Sequence, residues 1–382
     1  MSLRSSFWLR RHFWAAARAS FWGLCGPFTD VSDAVFCPFV LEIFTLGITT
    51  GTTPTTYDPT SSVNRLQMAA FLSRTVDGVL RRGGRRAALD QFWTTQNATV
   101  LGLTTVGNAP QLLASDGADI WVANNGDASV SRVRASDGKL LETWTGATAA
   151  EGVLVAMGRI LVTGLGNPGK LYSIDPSQPA GAVTTVASNL GIDPFGIAFD
   201  GTRVWTANNG GSFSIVTPGA TFPWTVTTVT TGPSALFGAI YDGVNVWVTN
   251  NSAGTILRLA PFGTVILTVT VGGQPFFPAF DGKYIWVPNA TSNSVSVVQA
   301  LTGAVLQTLT GNGLLVPAGA AFDGQRVLVT NATGNSVSLW KAADLTPLGN
   351  FTMGAGTFPL AACSDGVNFW ITLQSKRKVA RF

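Results

Sequence analysis

The chain contains one histidine, His12, and three glutamates, Glu42, Glu142 and Glu151. A Ser, His and acid triad needs an imidazole beside its nucleophile, and histidine-rich metal centres need several imidazoles together. With His12 near the start of the sequence, neither chemistry is available to the long region that follows. Carboxylates remain as acid and base groups. Glu142 and Glu151 would form such a pair if folding brought them together. Charged side chains otherwise stay solvated, so each reads as a surface charge.

Other polar residues recur at fixed places. Asp116, Asp200, Asp242, Asp281, Asp323 and Asp365 each precede a turn, and Asn124, Asn208, Asn250, Asn289 and Asn331 close the strand-like phrase that comes next. A repeated acid or amide could make a ring of ligands. Asp at a turn, however, accepts bonds from nearby backbone N–H groups, and a following Gly takes backbone angles that a Cβ resists. A catalytic role written six times is implausible, so the Asp and Asn series are read as holding turns and strand ends.

No Gly-rich phosphate loop with a trailing Lys-Ser/Thr occurs, and "TGLGNPG" at 163–169 lacks a strand-to-helix setting. No cofactor is expected. Cys25, Cys37 and Cys363 show no metal-ligand spacing. A lone bridge between Cys25 and Cys37 is compatible with an oxidising compartment.

Charge narrows the partners. Residues 1–91 hold ten Arg against six acids, whereas residues 92–382 balance fourteen basic groups with fourteen acidic ones. The larger part has no net pull on nucleic acid. The basic hinge "RRGGRR" at 81–86 reads as a soluble linker, so no nucleic-acid partner is expected. The first 26 residues carry a basic, aromatic segment interrupted by Arg18. They read as a poorly ordered or targeting-like tail and not as a transmembrane span, which needs about 18 or more apolar residues in a row.

The elements that must position these groups follow from a repeat. A bulky residue marks one strand of each copy: Trp121, Leu161, Trp205, Trp247, Trp286, Leu328 and Trp370, at separations of 40, 44, 42, 39, 42 and 42. That period fits a four-stranded propeller blade better than shorter helical or leucine-rich repeats. The fifth copy shows the grammar: "QPFFPAF", Asp281-Gly282, "YIWVPN", "NSVSVVQA", Thr302-Gly303, "AVLQTLTG". These are β-prone stretches with turn formers between them. The Trp register should fill the wedge between neighbouring sheets. The second copy lacks the Asp and is one residue shorter, and Pro288 calls for a bulge or an early strand end.

The last copy runs out before its fourth strand, while "NATVLGLTT" at 97–105 has the character of an outer strand and precedes the first copy. Pairing the two would close the ring and remove a sheet edge. The expected fold is mainly β: a seven-bladed β-propeller over 97–382, closed by strand 97–105, with a small N-terminal α-helical module. The phrase "VWVTNN" at 246–251 resembles the YVTN-type β-propeller repeat family, and the resemblance spans about residues 97–382. The arrangement is also similar to the streptogramin lyases, which use a catalytic histidine and a magnesium-binding carboxylate; no His occurs in 97–382.

Residues 27–80 read as two helices joined by a loop, one near 37–46 ending at Gly47 and one from Asn64 to Leu80, and 81–96 as the linker. Asn64 and Gln67 have the spacing of a reciprocal helix cap. "FTDV" at 28–31, "LGITTG" at 46–51, "YDP" at 57–59 and "VNRLQMAAFLSR" at 63–74 together resemble one S-layer homology (SLH) module. That resemblance implies anchoring to bacterial cell-wall polysaccharide, with Gly47, Ile48, Thr49 and Arg65 as glycan-binding positions and Asn64 where the family has Thr.

The function expected is a noncatalytic binding or scaffold protein of the bacterial cell envelope, or an exported one. Propeller loops would hold a protein or glycan and the N-terminal module would tether it. The alternative is a carboxylate-dependent hydrolase or lyase at the mouth of the propeller channel.

Overall fold

In a computed structural model of the chain, the described residues are 25, 27–33, 36–37, 40, 43–44, 49, 51–65, 67–72, 102–232 and 234–382. The chain divides into two compact units, Met1–Phe92 and Trp93–Phe382.

The second unit is a seven-bladed β-propeller, each blade a four-stranded antiparallel sheet. Blade one comprises β2 (Pro110–Ser115), β3 (Asp119–Asn124), β4 (Ser129–Arg134) and β5 (Leu140–Thr145), from the channel outwards. Blade two has β6 (Ala150–Ala156), β7 (Arg159–Gly164), β8 (Gly169–Ile174) and β9 (Thr184–Leu190). The remaining inner strands are β10 (Pro194–Phe199), β14 (Leu236–Tyr241), β18 (Ala279–Phe280), β22 (Pro317–Phe322) and β26 (Pro359–Ser364).

Blade seven is completed from the other end of the sequence. β1 (Gly102–Thr105) pairs antiparallel with β28 (Lys378–Arg381), matching Gly102 with Arg381 and Thr105 with Lys378. The ring therefore shuts with one early strand and three late ones, and β28 has no open edge. Residues 97–101 lie outside the described ones.

Seven apolar clusters among the described residues hold the blades together, one at each interface. Trp121 packs with Ile160, Val162 and Tyr172 of blade two, Trp286 with Val327, Val329 and Trp340 of blade six, and Trp370 with Ile120 and Val122 of blade one. The Trp register thus fills the wedges, and a lone sheet would expose these faces to water.

Two departures from the repeat have local causes. In blade two β6 meets β7 through a two-residue turn, Met157-Gly158, with φ of 54° and 68°, so this tight hairpin replaces the longer Asp-Gly turn. In blade five the strand carrying Pro288, β19 (Tyr284–Asn289), runs on unbroken, and the shortening falls on its neighbour β18, which has two residues. Proline offers no N–H to that neighbour, while Pro288 O still accepts from Phe276 N at 3.0 Å.

In the first unit the described residues form a small core of Phe28, Val31, Cys37 and Val40 beside a Cys25–Cys37 disulfide. Phe28 packs edge-on to Phe44, centroids 5.1 Å apart. Residues 37, 40, 43 and 44, then 65 and 67–72, are helical. The second helix starts on a reciprocal cap: Gln67 N donates to Asn64 Oδ1 and Asn64 N to Gln67 Oε1, both at 2.9 Å. Asp30 accepts from Tyr57 N and Asp58 N at 2.8 and 2.7 Å, tying "FTDV" to "YDP"; the Tyr57 bond is the main reason its carboxyl is held below the usual range. The described residues include no helix long and apolar enough to cross a membrane.

Candidate ligand site at the channel mouth

The repeated aspartates are consumed by the fold. In Asp281, Oδ1 accepts from Lys283 N and Tyr284 N at 2.8 and 2.6 Å, while Oδ2 accepts from Trp286 Nε1 at 2.7 Å. Asp116, Asp200, Asp242 and Asp365 bind Trp121, Trp205, Trp247 and Trp370 in the same way. Asp323 has Leu328 where the others have Trp, and its Oδ2 takes Arg326 Nε at 2.7 Å instead. Burial alone would raise Asp116 and Asp200, but the indole and backbone donors outweigh it and hold both carboxyls below the ordinary value.

The amide nitrogens of the asparagines are likewise occupied. Asn124 Nδ2 donates to Ser129 and Ser131, and Asn208, Asn289 and Asn331 repeat the bond to a pair of serines. Asn250, lacking that serine pair, turns to Ser234 Oγ at 3.2 Å. All five are buried.

What remains is a ring at the end of the channel where the inner strands begin. One residue per blade stands there: Gln111, Glu151, Phe195, Phe237, Phe276, Ala318 and Leu360. In six blades the inner strand slips its register just beyond this point, as between Ala150 and Val153, so simple alternation fails there. The residue opening the approach takes a left-handed conformation in six blades, including Ala149, Asp193 and Gln274 at φ of 50°, 49° and 54°. Its carbonyl accepts from the turn after the second strand, as Leu165 N to Ala149 O at 3.0 Å.

The ring is drawn tight from below. A Cβ at Gly152 would overlap Phe195 O, one at Gly196 would overlap Phe237 O, and one at Gly238 would overlap Phe276 O, so only glycine lets adjacent inner strands approach this closely. Threonines then pin the ring's backbone. Thr163 Oγ1 accepts from Gly152 N at 2.7 Å and donates to Phe195 O at 3.3 Å. Thr249 links Gly238 N to Phe276 O, and Thr330 links Gly319 N to Leu360 O.

Phe195 and Phe237 lie 4.7 Å apart between ring centroids, and Phe237 and Phe276 4.9 Å. Gln111 Oε1 accepts from Gln374 Nε2 of blade seven at 2.9 Å. Beneath the ring is a cavity of about 150 Å³ walled by Leu112, Val153, Gly196, Gly238, Phe277 and Gly319 among others.

Glu151 is the exception in this apolar setting. It is 3% exposed, and no group among the described residues donates to it or pairs with it. Burial alone pushes its carboxyl up to about 8. The expectation that Glu151 is a surface charge is therefore wrong, because its register position belongs to the packed mouth of the channel. Glu142 does not meet it; that side chain is half-buried and pairs with Arg132 at 3.2 Å. Aligning the inner strands would have found Glu151: "AEG" in blade two stands where blades three and four have "PFG" and "LFG".

Of the four glycan-site positions, Gly47 and Ile48 lie outside the described residues. Thr49 is buried, its Oγ1 accepting from Gly51 N at 3.2 Å, and Arg65 is exposed at the start of the second helix. The tail 1–24 and the linker 81–96 also lie outside them.

Fold and site together define a closed seven-bladed β-propeller with one unpaired acid at its mouth. No protein-family model matches the chain, and no curated protein matches it in sequence. Its fold is similar to selenomethionine-substituted virginiamycin B lyase from Staphylococcus aureus, at 15% identity and a TM-score of 0.62, covering 74% of this chain and 98% of that one. A streptogramin B lyase is similar at 17% identity and 0.60, over 74% and 96%. The WD40 β-propeller domain of Doa1 is similar at 14% and 0.60, over 74% and 97%. At such identities the likeness is one of fold.

Proposed function

We propose that the chain is a noncatalytic recognition protein of the bacterial envelope or its exterior, built on YVTN-type repeats. Its propeller takes a ligand at the channel mouth and its SLH-like unit serves as a tether to cell-wall polysaccharide. The observation that carries the binding reading is Glu151: a lone buried carboxyl at the ring position that phenylalanine takes in the next three blades, with no second acid or imidazole placed to complete a catalytic pair. The Cys25–Cys37 disulfide supports an oxidising compartment. Arg65, exposed at the start of its helix, supports contact with an acidic glycan.

One observation favours the second reading, a hydrolase or lyase. A carboxyl raised to about 8 keeps its proton at neutral pH and is able to donate it. Two of the similar folds are a virginiamycin B lyase and a streptogramin B lyase, yet the propeller has no histidine.

Two experiments decide. Incubation of the full chain with a streptogramin B antibiotic, followed by mass spectrometry, is expected to return the intact ring; steady conversion to the opened form would replace binding with catalysis. Co-sedimentation with purified cell walls is expected to retain the full chain and to lose it on Arg65→Ala, while equal retention of both would remove the tether.

A further inference from the structure

The ring at the mouth of the channel carries one acid, Glu151, and three aromatic side chains; Asp193, which precedes β10 there, accepts from Gly166 N at 2.9 Å. Deepening the binding reading and resting on it, we infer that the mouth receives a small organic cation of the quaternary-ammonium class, its charge set against Glu151 and its methyl groups against Phe195, Phe237 and Phe276.

The alternatives fail on the groups present. An anion finds no Lys, Arg or His on any inner strand. A hard divalent metal needs six or more oxygens, and no cluster of three His, Cys, Asp or Glu exists among the described residues. A primary ammonium has three N–H donors to satisfy; Glu151 offers two oxygens, and several other acceptors of the ring are engaged. Phe195 O, Phe276 O and Leu360 O take Thr163, Thr249 and Thr330, and Gln111 Oε1 takes Gln374. A quaternary ammonium has no N–H donor to satisfy. It is attracted to the negative faces of aromatic rings, and the cavity beneath the ring is walled by glycine, aliphatic side chains and Phe277.

Glu151 completes the match. A carboxyl without a counter-charge in an apolar site is held in its neutral form. An arriving cation supplies the missing counter-charge, and the carboxyl releases its proton to solvent as the ion pair forms. Binding is therefore linked to proton release. The strands β2 and β10 flanking β6 carry no titratable side chain, and Asp193, just before β10, is an acid bonded to Gly166 N. On β7 Arg159 stands at the opposite end, across from Ala156, and on β3 Asp119 is bonded to Arg132 at that end. The remaining inner strands add only Tyr241 and Cys363, both beside the turns at the opposite end, and burial pushes the Cys363 thiol up. Proton release between pH 6 and 9 is thus assigned to Glu151.

The test is calorimetric titration of the full chain with choline and with 3,3-dimethylbutan-1-ol, its uncharged isostere. At pH 9 choline should bind at least about tenfold more tightly than the alcohol. Its affinity should fall about tenfold per pH unit below the carboxyl's free value, with uptake of the released proton by buffer. Glu151→Gln should abolish the preference for choline, and Phe237→Leu should weaken choline severalfold while the circular dichroism spectrum stays that of wild type. Equal affinity for choline and the alcohol would overturn the cationic ligand yet leave the mouth as a binding site. Binding of neither at millimolar concentration would overturn both. The comparison of the two ligands on wild-type protein decides even if a variant fails to fold.

Discussion

Trp286 Nε1 lies 2.7 Å from Asp281 Oδ2, five residues back across the hairpin that joins the two innermost strands of blade five. The same carboxylate closes the hairpin through its other oxygen. One side chain thus sets the turn and fixes the rotamer of the indole that fills the interblade wedge, which explains why Asp and Trp recur together.

Removing either partner should cost more than a single surface contact. Trp286→Ala empties a fully buried site and should destabilise by about 3–5 kcal/mol. Asp281→Asn turns an acceptor into a donor facing the indole N–H and should cost about 1–3 kcal/mol. Chemical denaturation of both variants and of the double variant checks this, with the double variant less destabilised than the sum because the two share a partner.

Much of this was legible in the sequence. The spacing of Trp121 through Trp370 announced seven blades, and the Asp-Gly pairs announced their hairpins, because both are local and repeated. The Asn64 and Gln67 cap was legible for the same reason. Glu151 was legible only by aligning the inner strands copy against copy, since its burial is set by neighbours from blades one and three and a register slip erases period-two alternation. Pro288 misled only in place: the constraint it imposes appears on β18, the strand that would have needed its N–H.

Stability should respond to acid and to base through different groups. Asp116 and Asp200 are held below the ordinary carboxylate value, so what they contribute is present above the unfolded value and lost as pH falls through the folded one. Glu151 works in the opposite sense. Its folded value is raised to about 8, so stability is greatest below the unfolded carboxyl value and declines as pH rises toward about 8, then levels. Thermal melts of wild type and Glu151→Gln from pH 5 to 9 should show a decline in the wild type that the variant lacks.

Closure through β1 makes a further demand. Deleting residues 102–105 would leave β28 as an open edge next to an unfilled wedge. The truncated protein should melt at lower temperature and associate with increasing concentration in sedimentation velocity, whereas the intact chain should not.

The tight mouth predicts sensitivity at a residue with no side chain. Gly196→Ala would force a Cβ onto the backbone of Phe237 and should cost about 1–3 kcal/mol as the inner strands spread. The same substitution at Gly201, where a Cβ meets open space but φ is 93°, should cost about 1 kcal/mol through backbone strain alone. Denaturation midpoints of the two variants should separate in that order.

The state of Glu151 is open to direct observation, because the chain has only three glutamates. Carboxyl carbon NMR of protein labelled at glutamate, followed from pH 3 to 10, should show one resonance titrating near 8 that disappears in Glu151→Gln. Three resonances all titrating in the ordinary carboxylate range would contradict a buried, unpaired acid at the channel mouth.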